Sequence, residues 1–179
     1  MEKKFINPPT LATPHGGLMK RALLFLLLVC LVCGVFQPPL FAQEKTMEKK
    51  FINPPTLHTP RGYSHVVTAS GGKMIFVAGK VAVDTKREIV GKGDLRAQAT
   101  QTYENLKSAL AAAGATIADI VKINTYVVNF KAADLPVILE VQAKFFPQEN
   151  LPASTLVGVQ ALALDGLLIE IEAIAMVKE

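Results

Sequence analysis

The run Leu167 to Val177 constrains the fold more than any other part of the chain, because its side chains alternate along an extended backbone. Ile169, Ile171, Ala173 and Ala175 fall on one side, and Leu168, Glu170, Glu172, Ile174 and Met176 fall on the other. An uninterrupted apolar side has to be covered by other elements. The side with two carboxylates has to be wet, paired or functional, since burying an unpaired charge is costly. A second β-type run, Thr155 to Leu162, precedes it, and Asp165-Gly166 supplies a turn signal between the two.

The 133 residues from Met47 onward suffice for one domain with one core. After a Pro-rich lead-in (Pro54, Pro55, Pro60), His65 to Ala69 and Lys73 to Lys80 read as strands of an opening hairpin around Ser70-Gly71-Gly72. Asp94 is a good helix N-cap; Leu95, Ala99, Thr102, Leu106, Leu110 and Ala113 follow at helical spacing, and Gly114 closes the helix. Ile120 to Val128 reads as a buried strand. Asp134 then caps a second amphipathic helix, with Leu135, Ile138, Val141 and Phe145 on one face and Pro147 as its stop. The predicted order is ββαβαββ, an α+β fold with a mixed sheet and two helices on one face. Two helices of this length leave the other sheet face open, and burying an apolar patch at about 25 cal/mol per Å2 drives self-association.

Residues 1 to 46 differ in character from the rest. They carry 5 Lys and Arg against 2 Asp and Glu, whereas 47 to 179 carry 14 against 13, so the basic excess belongs to the leader. A near-neutral domain lacks the electrostatic footprint of a phosphate-backbone binder, and no nucleic-acid partner is expected. Lys20-Arg21 followed by the apolar run Ala22 to Phe36 has the layout of a signal peptide within 19 to 42, cleaved near Ala42-Gln43; the run is short for a membrane span, and no membrane association is expected of the mature domain. Export to a periplasm-like compartment follows if that segment is used. A cytoplasmic location follows if translation starts at Met47, an alternative raised by the recurrence of Met1 to Leu11 without change at Met47 to Leu57. Both cysteines, Cys30 and Cys33, lie in the leader, so the domain has no thiolate ligand or nucleophile. His58 and His65 are not matched by a clustered acid, and no phosphate cradle opens a helix, so neither metal nor cofactor is expected.

Several motifs point to one family. Pro152-Ala153-Ser154-Thr155-Leu156-Val157 followed by Ile169-Glu170-Ile171-Glu172-Ala173-Ile174-Ala175 resembles the closing signature of the RidA/YjgF-like imine and enamine deaminases, which runs roughly Pro-Ala-Arg-Ser-x-Val and then Glu-Ile-Glu-Ala-Ile-Ala. Gly62-Tyr63-Ser64, Phe76-Val77-Ala78-Gly79, Gln98 with Glu104-Asn105-Leu106, and Asp119-Ile120-Val121-Lys122 match in order upstream, so the resemblance spans about residues 47 to 179. It implies a chorismate-mutase-like, RidA-like fold, a homotrimer around a central barrel, small-molecule clefts between subunits, and cofactor-free hydrolysis of 2-imino acids. It also implies roles: Glu170 positions the attacking water, while Tyr63, Ala78, Gly79, Leu139, Ser154 and Leu156 surround the substrate.

This chain departs from the pattern where the chemistry is most charged. Ser154 stands where the family carries the arginine that grips the substrate carboxylate, Leu139 stands where a polar amide is common, and Ala78 replaces a serine. A hydroxyl donates one neutral hydrogen bond and supplies no charge, so the substitutions point to a less anionic ligand or weaker activity. Glu170 reads either as the water-positioning acid or as a carboxylate paired to a lysine at a subunit interface. Glu172 reads as a structural or solvated charge, Tyr63 as a ligand-stacking ring or a loop pin, and His65 as a satisfied strand residue. Arg61 reads as a loop charge or as a cation able to replace the missing guanidinium. The expected function is therefore a trimeric imine or enamine hydrolase with altered specificity; the alternative is a non-catalytic, small-metabolite-binding or chaperone-like trimer. Ribonuclease activity fits poorly with the near-neutral domain.

Overall fold

The helix over residues 95 to 112 forms where the sequence starts and stops it. The Asp94 carboxylate accepts from the Ala97 backbone N–H at 3.1 Å, and Gly114, at φ +75°, takes the left-handed conformation that ends it. The computed structural model describes residues 46–147 and 149–179. The recurring Met1 to Leu11 segment, the signal-like segment, its cleavage site and both cysteines lie outside the described residues.

Among the described residues, six strands and two helices follow in the order β1 (Glu48–Ile52), β2 (Val66–Ser70), β3 (Lys73–Val81), α1 (Leu95–Ala112), β4 (Ile120–Val128), α2 (Asp134–Phe145), β5 (Ala153–Val159) and β6 (Ile169–Val177), with a 3-10 turn at Ile117–Asp119. A four-stranded mixed sheet runs β3-β6-β4-β5, antiparallel except for the parallel pair β4 and β5; β1 and β2 form a separate antiparallel pair. Ile169, Ile171, Ala173 and Ala175 of β6 are buried with Ile123 and Val127 of β4 and with Tyr103, Leu106 and Leu110 of α1, so both helices cover one sheet face. Gln98, buried on α1, accepts from the Leu168 N–H and donates to the Gly166 carbonyl, both at 2.8 Å, which fixes the turn leading into β6. Asn105 donates to the Val81 and Val83 carbonyls and holds the exit of β3 in the same way.

Four expectations change. The Pro-rich lead-in is preceded by a strand, β1, formed by the second copy of the recurring segment; Lys49 anchors it through an ion pair to Asp119 at 3.3 Å. The opening hairpin does not form: β2 spends its hydrogen bonds on β1 while β3 pairs with β6, so Ser70-Gly71-Gly72 joins two sheets. The fifth strand starts earlier and stops at Val159, because its parallel partner β4 runs out at Val128. Asp134 is the first helical residue, not the cap; its carboxylate reaches back to the Lys131 N–H at 2.7 Å.

Candidate functional site

Register assigns each candidate side chain to a face of the sheet. On β5, Ser154 and Leu156 sit opposite Ile123 and Thr125 of β4, so they point to the helix side. There, between the edge strand β5, helix α2 and the loop of residues 58–63, lies a cavity of about 740 Å3 whose walls include Tyr63, Leu139, Ser154 and Leu156. Four of the seven expected site residues thus meet in one place. Arg61, His58, Thr59, Thr125 and Gln142 join them, while Leu135 and Pro136 make the wall more apolar.

The loop that closes this cavity is tied at several points. Gln142 of α2, nearly fully buried, donates to the Gly62 carbonyl at 2.5 Å, and the Ser64 N–H donates to the Pro152 carbonyl at 3.0 Å. Gly62 has φ +79°, and a Cβ there would stand 2.6 Å from the Leu139 Cδ2 atom. Leu139 is therefore both a wall of the cavity and the surface on which the loop backbone rests. The Tyr63 hydroxyl and His58 Nε2 share a hydrogen bond at 2.8 Å. His65 Nε2 donates to the His58 carbonyl at 2.8 Å, which requires a proton on that nitrogen, and its backbone N–H donates to Asn53 Oδ1. The three rings pack edge-on or tilted at centroid distances of 4.9 to 6.4 Å.

The remaining expected residues lie on the other side of the sheet. Glu170 is opposite Tyr126 on β4 and Val81 on β3, both on the open face. The register between β3 and β6 slips between Val77 and Lys80, and this irregularity holds Ala78 and Gly79. A Cβ on Gly79 would collide with Glu170 Oε1, so the absent side chain is what lets the carboxylate lie over the backbone there. Among the described residues Glu170 makes no ion pair. In a single chain, then, Glu170 and Gly79 touch each other, Ala78 is their neighbour, and the sheet separates all three from Ser154.

Glu172, two residues on, has a different environment. It accepts from Asn124 Nδ2 at 2.7 Å and from the Tyr126 hydroxyl at 2.9 Å. Those two hydrogen bonds hold its carboxyl below the usual range, and the nearby Lys122 ammonium adds to the effect. Tyr126 is correspondingly raised by the bond to Glu172, and Lys122 is lowered by burial against the opposing pull of Glu172. Glu172, Asn124 and Lys122 border a depression of about 400 Å3 with Phe76 and Ala78.

Sequence reasoning missed His58, Thr59, Thr125 and Gln142 as neighbours of the cavity. Gln142 carried a signal, since it falls one turn beyond Ile138 on the buried face of α2, where an amide needs a partner. His58 carried none, because its link to Tyr63 depends on the path of an irregular loop.

Comparison with known proteins gives this arrangement its kin. The family model described as Endoribonuclease L-PSP matches residues 55–177. A RutC family protein of Pyrococcus horikoshii is 39% identical over 113 residues, 63% of this chain and 85% of the relative. The 2-iminobutanoate/2-iminopropanoate deaminase of Dermatophagoides farinae is 32% identical over 116 residues, 65% of this chain and 86% of the relative. Among solved structures, a Rid family protein of unknown function, YyfB from Yersinia pestis, superposes with a TM-score of 0.69 at 44% identity, covering 72% of this chain and 98% of that one. With its motifs, its α+β layering and a family match over most of its length, the chain belongs to the endoribonuclease L-PSP family, also called RidA/YjgF.

Proposed function

We propose that the protein is a homotrimeric, cofactor-free hydrolase of small imines and enamines, with its site completed between subunits. Glu170 of one subunit faces the cavity that Tyr63, Leu139, Ser154 and Leu156 line in its neighbour, with Ala78 and Gly79 beside the acid. The observation that carries this reading is the fit of the unpaired Glu170 carboxylate over the side-chain-free backbone of Gly79, on a sheet face that a single chain leaves open. Phe76 is 73% exposed on that face and Met74 49%, so apolar surface surrounds the acid and favours a partner.

The chemistry asks little of the protein beyond placement. Water, its proton accepted by Glu170, adds through oxygen to the C=N carbon; Glu170 returns that proton to the nitrogen, and the carbinolamine collapses to the carbonyl product as the C–N bond breaks and ammonia leaves. The imine carbon is already electrophilic, so positioning alone accelerates the reaction. The hydroxyls of Ser154, Tyr63 and Thr125 and the backbone near Gly79 hold the substrate.

The deciding experiment supplies 2-iminobutanoate or 2-iminopropanoate generated in situ and follows ammonia release. Wild-type protein is expected to exceed the buffer rate and Glu170→Gln to fall to it. Release at the buffer rate by wild type, or full activity in Glu170→Gln, rejects the hydrolase. A non-catalytic binding trimer is the second reading, favoured by the Leu135, Leu139 and Leu156 walls; it is distinguished by thermal stabilisation with neutral ligands in the absence of turnover. If the protein is exported, intact mass of the native chain will show the segment before about Gln43 removed.

A further inference from the structure

Resting on the reading of an imine hydrolase, we infer that Arg61 supplies the positive charge that Ser154 lacks, so that the cavity takes small 2-imino and 2-oxo carboxylates rather than neutral ligands. Ser154 and Arg61 are walls of the same cavity, one from the edge strand and one from the loop across from it. Among the described residues, no carboxylate lines that cavity. Its basic members are Arg61 and His58, and the rest are the Tyr63 phenol, three aliphatic hydroxyls, one amide and aliphatic groups.

Arg61 is also uncommitted. Among the described residues Arg96 is paired with Glu140, whereas Arg61 makes no ion pair. A free surface arginine by itself means little, but this one is carried on a backbone fixed on its C-terminal side within a few residues. The Gly62 carbonyl is bound by Gln142, Gly62 rests on Leu139, Tyr63 is bonded to His58, and the Ser64 N–H is bonded to Pro152. The guanidinium therefore explores only its own torsions from a fixed Cα, which lowers the entropy lost when it grips a ligand. A planar guanidinium matches a carboxylate with two parallel N–H···O bonds. Next to the Leu139 and Leu156 walls, such a pair is less screened than on open surface. The same walls suit a short aliphatic tail on the 2-carbon.

Binding of the stable reaction product tests this without depending on turnover. Full-length protein is titrated calorimetrically with 2-oxobutanoate and with its neutral primary amide, using wild type, Arg61→Gln and Arg61→Gln/Ser154→Arg. Arg61→Gln is expected to weaken 2-oxobutanoate by about tenfold or more, about 1.4 kcal/mol, and to leave the amide within about twofold. The added Ser154→Arg is expected to restore carboxylate binding by returning the charge from the opposite wall. Equal carboxylate affinity in wild type and Arg61→Gln, equal loss of both ligands, or no binding of 2-oxobutanoate by wild type overturns the inference. The two readings fail separately: Arg61-dependent binding without imine hydrolysis removes the hydrolase and keeps the anchor, whereas hydrolysis indifferent to Arg61→Gln does the reverse.

Discussion

Replacing Gly62 by alanine tests whether the loop that carries Arg61 and Tyr63 is held rigidly against α2. Two costs are separable in the geometry. The first is backbone: at φ +79° an L-residue pays roughly 1–2 kcal/mol. The second is steric: a Cβ 2.6 Å from Leu139 Cδ2 is about 1 Å inside ordinary carbon contact, and overpacking of this kind costs about 1–3 kcal/mol. Gly62→Ala should therefore lose about 2–5 kcal/mol on the sum of those terms. In a Leu139→Ala background the steric part disappears and only the backbone part remains, so the double-mutant cycle should show a favourable coupling of about 1–3 kcal/mol. Urea denaturation at one fixed protomer concentration measures all four proteins, since under the proposed trimeric reading stability depends on concentration. Additivity within about 0.5 kcal/mol would mean that the loop simply moves aside. It would also remove the fixed-backbone premise behind Arg61.

Three further outcomes follow from the same coordinates. Gly79→Ala forces the far end of the Glu170 side chain to move, which is cheap for stability; imine hydrolysis should fall on the order of a hundredfold while the melting midpoint hardly changes, and retained turnover would separate the acid from the reaction. Tyr103→Phe removes a fully buried hydroxyl that has no hydrogen-bond partner among the described residues but keeps the ring stacked on Phe145, so chemical denaturation should show a change from neutral to about 1 kcal/mol stabilising; a clear loss of stability would show that the hydroxyl is paired. Glu172 has a folded-state pKa below 4.5, so its hydrogen bonds stabilise the fold fully above that pH and progressively less as the pH falls through the folded-state value. Glu172→Gln should therefore flatten the loss of stability on acidification below pH 4.5, and unchanged acid curves would refute the role of Asn124 and Tyr126.

What the sequence disclosed, and what it withheld, divides along the distinction between local and tertiary information. Helix α1 was legible because Asp94, the apolar spacing and Gly114 all act within the element, and β6 was legible because its alternation is itself a record of two faces. Strand partners were not legible: β4 lies between β5 and β6, and β2 pairs with β1 in a sheet of its own, choices that neither strand's own pattern encodes. The same limit applies to the site. Ser154 and Glu170 each have a definite face, but the relation between those faces appears only once β5 and β6 are placed in register through β4. Gln142 could be suspected from its position on α2, while the His58–Tyr63 bond follows a loop with no periodicity to betray it.

That facing relation has a consequence for how activity should depend on assembly under the proposed reading. The carboxylate of Glu170 and the hydroxyl of Ser154 are fixed to opposite sides of one hydrogen-bonded sheet, and no side-chain rotation carries either through it. Arg61 lies on the Ser154 side. An isolated chain therefore holds either the water-positioning acid or the substrate grip at any one cleft, never both. Carboxylate binding through Arg61 needs only the wall of one subunit, whereas hydrolysis needs a second. Dilution below the assembly constant should accordingly abolish turnover before it abolishes binding, even while each chain retains the core formed by α1 and β6.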